Sequence, residues 1–242
     1  MVSYFHRMNL VYCPTALNGG IVALDDNEFH HIQVLRMRSG DALNIFDGKG
    51  SLYSGTLMSV EKRSATVKID QLVRHEETQA GQLHIALAPT KNIDRTEWFT
   101  EKTTEIGISK ITPVICRRSE RRELRQDRLE KVALSATKQS LHLYIPRINE
   151  HMALKDFLKS EAGDKSKKFI AYCEEKSVHI KDVFSPGESI IVLIGPEGDF
   201  TEEEVGMARD AGFMPVSLGE SRLRTETAGM MVSAIFNIKN SG

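Results

Sequence analysis

The sequence predicts two folded parts: a small β-barrel or sandwich over residues 1–72, and an α/β domain with a mostly parallel sheet over residues 73–242. Three observations carry this. Before Leu72, short alternating segments are separated by turn signals every eight to twelve residues. After it, near-continuous apolar runs alternate with helical patterns. Between them lies a polar linker, His75-Glu-Glu-Thr-Gln-Ala-Gly-Gln-Leu83.

In the first part the turns are Gly19-Gly20, Asp25-Asp26, Ser39-Gly40-Asp41 and Asp47-Gly48-Lys49-Gly50. Ala42 to Phe46 and Ala65 to Ile69 alternate with period two, as half-buried strands do. Phe29, Ile32 and Leu35 recur at helical spacing and place a short helix around Asn27 to Met37.

In the second part the strands are Leu83 to Ala88, Ile111 to Cys116, Phe169 to Tyr172, Ile190 to Ile194 and Pro215 to Leu218. Asp94 with Glu97, Asp127 with Glu130, and Thr201 with Glu204 have capping-box spacing and mark three helix starts. Leu129, Val132, Ala133, Ala136 and Leu143 form the apolar stripe of the middle helix.

Composition excludes several classes. The chain of 242 residues has 32 basic and 33 acidic side chains, so no global field marks a nucleic-acid or membrane partner. The longest apolar run, Ile190 to Ile194, is far too short to span a bilayer, and the first residues lack the apolar core of a secretion signal. Cys13, Cys116 and Cys173 are scattered and odd in number, which fits a reducing cytoplasm and argues against disulfides or zinc. His30-His31 has no partner carboxylate motif, so no metal is expected.

Candidate chemistry concentrates at two strand ends. Ile190 to Ile194 runs into Gly195-Pro-Glu-Gly198-Asp-Phe-Thr201, where glycines let a backbone approach a ligand outside a parallel sheet. The alternative is a plain strand-to-helix turn. The next strand runs into Leu218-Gly219-Glu-Ser-Arg222-Leu-Arg224-Thr-Glu226-Thr-Ala-Gly229. There the bland competitor is a solvated turn. Neither G-x-x-x-x-G-K-S/T nor G-x-G-x-x-G nor G-x-S-x-G is present, which removes the P-loop, the conventional dinucleotide site and the serine nucleophile elbow. Arg117 to Arg125 holds five arginines against two glutamates, a local basic strip suited to RNA phosphates or, more blandly, a self-paired surface loop. Lys91, Arg95 and Lys102 flank the first helix of the α/β part and extend it.

Five ordered motifs then resemble one family. Leu87-Ala-Pro-Thr-Lys91, Glu101-Lys102-Thr-Thr-Glu105-Ile-Gly107, Arg118-Ser-Glu-Arg121, Gly195-Pro-Glu-Gly198 and Leu223-Arg224-Thr-Glu226-Thr-Ala228 look like the ribosomal RNA small-subunit methyltransferase E family, of the SPOUT class. His30-His31, Val34-Leu35-Arg36 and Phe46-Asp47-Gly48 extend the resemblance over essentially the whole chain. Asp199 departs from it where a third glycine is usual, and Glu220-Ser221-Arg222 is a variant stretch.

The resemblance implies an N-terminal PUA-like β-barrel and a C-terminal α/β domain with a trefoil knot, pairing as a homodimer in the cytoplasm. It implies S-adenosylmethionine as cofactor, 16S ribosomal RNA of the small subunit as partner, and uridine N3 as the methylated atom. Leu193, Gly195, Pro196, Glu197, Gly198, Leu218, Gly219, Leu223, Thr225, Thr227 and Ala228 would hold the cofactor. Arg224 would stabilise charge on the uracil carbonyls, with Glu226 as base, as orienter of the arginine, or simply as a carboxylate favoured at a helix start. Arg7, Arg36, Arg38, Lys91, Arg95, Arg118, Arg121 and Arg122 would contact RNA. Rival readings are a non-catalytic ribosome-assembly factor and a SPOUT methyltransferase acting on a different nucleoside.

Overall fold

The computed structural model describes residues 9–77, 81–172 and 177–241. The chain divides into two compact units, residues 1–78 with 137–145, and residues 79–136 with 146–242.

The first unit is built on five strands: β1 (Leu10–Tyr12), β2 (Ile21–Ala23), β3 (Ala42–Phe46), β4 (Ser51–Val60) and β5 (Ala65–His75). Their order is β1-β3-β4-β5-β2, antiparallel except for the β1–β3 pair. Alternation sets the buried face: Leu43 and Ile45 on β3 meet Ala65, Val67 and Ile69 on β5 in one apolar cluster. Helix α1 (Asp26–Val34) starts where the Asp25 carboxylate accepts the Glu28 N–H at 2.8 Å. It ends before the expected Met37, because Arg36 takes φ 56° and turns the chain out of the helix. Residues 137–145 complete this unit. Lys138 Nζ meets the buried Glu28 carboxylate at 2.8 Å, and Tyr144 Oη donates to the Glu76 carbonyl at 2.6 Å.

The second unit alternates as expected. It contains β6 (Leu83–Leu87), α2 (Ile93–Ile106), β7 (Lys110–Ile115), α3 (Gln126–Ser140, its last residues in the first unit), β8 (Arg147–Ile148), β9 (Met152–Ala153) and α4 (Leu154–Ser160). Then follow β10 (Lys167–Ala171), β11 (Val178–His179), β12 (Ile190–Ile194), α5 (Glu202–Asp210), β13 (Met214–Ser217) and α6 (Thr225–Asn240). The sheet is parallel throughout, in the order β11-β13-β10-β12-β6-β7-β8, with β9 also on β7. Every residue of β6 and β12 is buried. On β12 the two faces separate cleanly: Ile190, Val192 and Ile194 join Phe99, Val232 and Phe236, while Ile191 and Leu193 join Phe157 and Phe213.

Helix starts were only partly legible. Thr201 and Glu204 form a complete capping box at α5. At α2 the cap is Asn92, which accepts the Asp94 N–H at 3.1 Å, so Asp94 lies inside the first turn and Glu97 instead binds Arg128 at 3.0 Å. At α3 the helix begins with Gln126, and the Asp127 carboxylate is taken by Arg125 at 2.7 Å. Leu129, Ala133 and Ala136 are buried, but α3 ends at Ser140, so Leu143 is not part of its stripe.

Candidate active site

A cavity of about 340 Å³ opens at the carboxyl ends of β10, β12 and β13, within the range of small-molecule sites. Ala171 ends β10 and Tyr172 follows it, Gly195 to Glu197 and Asp199 follow β12, and Leu218 to Leu223 follow β13. Thr225 and Ala228 close it from α6. Parallel strands put their carboxyl ends on one edge, and glycine-containing loops there expose backbone groups to a ligand. Gly219 has φ 119°, a conformation side chains rarely adopt, and space remains open around it. Thr225 Oγ1 donates to the Gly195 carbonyl at 3.0 Å, tying one glycine loop to the helix that follows the other.

Gly195, Pro196, Glu197, Leu218, Gly219, Leu223, Thr225 and Ala228, assigned to a cofactor by resemblance, all line this cavity. Three others do not. Leu193 is fully buried inside β12 on the face of Phe157 and Phe213, so it is core. A Cβ on Gly198 would sit 3.2 Å from Arg118 Cβ, so this glycine admits the arginine side chain rather than the cavity. Thr227 is half-buried in the first turn of α6, outside the lining. Tyr172 and Ala171 line the cavity without having been singled out. Their only signal was position, at the end of a strand whose neighbours the sequence does not reveal.

Arg224 caps α6 in extended conformation; its carbonyl accepts the Ala228 N–H at 2.8 Å while its side chain is exposed. Glu226 lies two residues on and is buried. Its Oε2 has no hydrogen-bond partner, and its Oε1 is 3.8 Å from Arg95 Nε of α2. A buried carboxylate so weakly partnered is costly, as expected where a group is held for something other than stability.

The basic residues divide. Arg7 lies outside the described residues, and Arg36 and Arg38 are exposed in the first unit. Lys91 Nζ is 2.7 Å from Glu120, whose carboxylate raises the lysine pKa. Arg118 donates to the Gly198 carbonyl at 2.9 Å, Arg121 to the Lys91 carbonyl at 2.9 Å, and Arg122 to the Arg117 carbonyl at 3.4 Å. Arg117 and Arg125 are paired with Glu203 and Asp127. Much of the strip is therefore engaged with the protein itself.

Among the described residues no group of three or more His, Cys, Asp or Glu side chains could hold a metal, and no helix is long and apolar enough to cross a membrane. Cys116 is buried, and desolvation pushes its thiol up to about 12, so it offers no nucleophile.

A parallel α/β unit with a glycine-lined cavity at adjacent strand ends, joined to a small β unit, defines a class of ligand-binding α/β proteins. The chain belongs to the RNA methyltransferase family: the model of the RNA methyltransferase domain matches residues 76–237, and that of the RNA methyltransferase PUA domain matches residues 24–70. It is 28% identical over 98% of its length to ribosomal RNA small subunit methyltransferase E of Rickettsia conorii, covering 97% of that protein. Among solved structures it resembles a probable rRNA methyltransferase from Porphyromonas gingivalis, 36% identical with TM-score 0.85, covering 97% of this chain and 99% of that one. It also resembles ribosomal RNA small subunit methyltransferase E from Neisseria gonorrhoeae bound to S-adenosyl methionine, 29% identical with TM-score 0.87, covering 96% and 98%.

Proposed function

We propose that this protein transfers a methyl group from S-adenosylmethionine to N3 of a uridine in 16S ribosomal RNA of the small subunit. The observation that carries the reading is the cavity between the two glycine loops, in a chain that matches relatives of that name over nearly its full length. Its size, its apolar wall from Val216, Leu218 and Leu223, and the open backbone at Gly219 suit a flat base carrying a polar tail. Gly195, Leu218, Gly219 and Ala228 would hold the cofactor largely through backbone and small apolar contacts. A trefoil knot in the C-terminal domain, a PUA-like barrel in front of it, pairing of two copies through the C-terminal domain and a cytoplasmic location belong to the same reading.

When bound, S-adenosylmethionine supplies the electrophilic methyl. The chain would bring N3 into line with it and favour loss of the imide proton, whose pKa lies above neutrality, to water, with S-adenosylhomocysteine as the second product. Arg224 is suited to this, since its exposed guanidinium can direct two N–H groups onto one uracil carbonyl oxygen as negative charge grows there, leaving N3 free. Glu226 is buried, outside the cavity lining and 3.8 Å from Arg95 Nε, which fits orientation of Arg95 better than direct proton removal. The target base would be turned out of its stack to reach the cavity. Mass-spectrometric mapping of 16S RNA from cells lacking the protein, with and without add-back, tests the reading: one N3-methyluridine should vanish and return.

A further inference from the structure

The turn after β7 does more than carry charge. Cys116 and Ser119 lock it: the Cys116 N–H donates to Ser119 Oγ at 3.0 Å, and the Ser119 N–H returns to the Cys116 carbonyl at 3.1 Å. Ser119 is buried, so Arg118 and Arg121 leave from a fixed base. In the sheet β7 lies beside β6, and β6 beside β12. The two arginines reach across these neighbouring strand ends in both directions.

Arg121 grips the loop after β6, with Nη2 at 2.9 Å from the Lys91 carbonyl and Nε at 3.3 Å from both the Lys91 and Thr90 carbonyls. The Lys91 N–H donates in turn to Glu197 Oε1 at 3.0 Å, inside the first glycine loop. Arg118 grips that loop directly: Nη1 donates to the Gly198 carbonyl at 2.9 Å and to the Phe200 carbonyl at 3.3 Å. Next to it the Arg117 N–H donates to Glu204 Oε1 at 2.7 Å, the carboxylate that also boxes the start of α5. Residues 195–200 are thus held from outside the cavity at Glu197, Gly198 and Phe200. Their inner side lines it at Gly195, Pro196, Glu197 and Asp199.

We propose that Arg118 and Arg121 are positioning residues for the cofactor: they fix the shape of the loop over residues 195–200 and so set cofactor affinity, rather than acting first as RNA phosphate contacts. A loop of this kind loses conformational freedom when a ligand orders it, and bonds that order it beforehand remove that cost from binding. Charge-assisted bonds to carbonyls are suited to this because each outlasts thermal fraying better than a neutral one. The inference rests on the cofactor occupying the cavity proposed above.

The test is calorimetric titration of the purified full-length protein with S-adenosylhomocysteine, without RNA, beside RNA binding over a salt series. Arg118→Ala and Arg121→Ala should each weaken the ligand about tenfold, the loss of one charge-assisted bond. KM for S-adenosylmethionine should rise while kcat at saturation is largely kept. Lysine should rescue the two sites unequally. Arg118 uses one nitrogen, so Arg118→Lys should recover most affinity, whereas Arg121 forks through Nε and Nη2 and Arg121→Lys should recover little. Melting temperature establishes that each variant is folded. Unchanged ligand affinity in both alanine variants, with an RNA salt slope lowered by about one per arginine, would overturn the proposal in favour of phosphate contacts. Ala228→Met, which intrudes on the cavity itself, separates the two failures. If it too binds normally, the cofactor lies elsewhere and the premise falls; if it alone loses affinity, the positioning role falls and the cavity stands.

Discussion

Thr225 and Gly195 are joined by a 3.0 Å hydrogen bond from the threonine hydroxyl to the glycine carbonyl, although 30 residues separate them. Thr225 is buried, and its bond makes the end of β12 and the first turn of α6 two walls of one cavity.

Thr225→Val keeps the shape and removes the donor. Leaving the Gly195 carbonyl without it should cost about 1–3 kcal/mol of stability. Cofactor affinity should fall as well, since the two walls are no longer tied. Chemical denaturation and calorimetry on the same variant check both.

Arg224→Ala should cut single-turnover methyl transfer on the order of a hundredfold while leaving cofactor and RNA affinity nearly unchanged. Arg224→Lys should recover little, because an ammonium lacks the planar pair of donors. A near-normal rate for Arg224→Ala would remove the residue from the chemistry.

Asp199 sits at φ 63° and uses Oδ1 to accept the Phe200 N–H at 2.8 Å, so its side chain offsets a backbone that favours glycine. Asp199→Ala loses the bond and keeps the strain, and should destabilise by about 1–2 kcal/mol. Asp199→Gly loses both together and should be nearly neutral. Equal denaturation midpoints for the two variants would show that backbone conformation contributes nothing here.

His84 supplies the pH dependence. It is buried, with Nε2 at 2.7 Å from Thr112 Oγ1 and Nδ1 without a partner, and desolvation lowers its pKa to about 3. A folded-state pKa below the ordinary 6.5 means that the unfolded chain binds the proton first as the solution is acidified. This one group then removes stability from about pH 6.5 down towards 3, by about 1.4 kcal/mol per pH unit at the steepest. His84→Leu should flatten that part of the curve. In the variant Thr112 Oγ1 still accepts from Asn149 Nδ2 at 2.8 Å, but its buried O–H loses the imidazole, a loss that does not vary with pH and so leaves the slope as the readout. Urea unfolding at several pH values reads the slope.

Much of the second unit was legible because buried parallel strands are apolar without a break. Ile190 to Ile194 could be read as a strand from five residues, and the observed limits are the same. The Thr201–Glu204 box was legible because both halves of a cap are local. Adjacency was not. Nothing near Leu83 says that β6 pairs with β12, or that Lys91 N–H meets Glu197, since both contacts join residues about a hundred positions apart. The same limit hid the return of residues 137–145 to the first unit, where Lys138 answers the buried charge of Glu28. The arginine strip was visible as composition, but whether a guanidinium faces a phosphate or a carbonyl depends on which loop stands opposite. That the Leu193 side chain faces the core was hidden for a simpler reason: one step along a strand turns a side chain from one face to the other.

The most direct measurement is methyl transfer from labelled S-adenosylmethionine by the purified protein to small ribosomal subunits taken from cells that lack it. The product nucleosides should be separated and identified. The account expects label in a single 16S nucleoside, N3-methyluridine, with Ala228→Met losing it through weakened cofactor binding and Arg224→Ala losing it at full cofactor occupancy. Label in a different nucleoside, or no transfer by a folded protein that binds the cofactor, would contradict it.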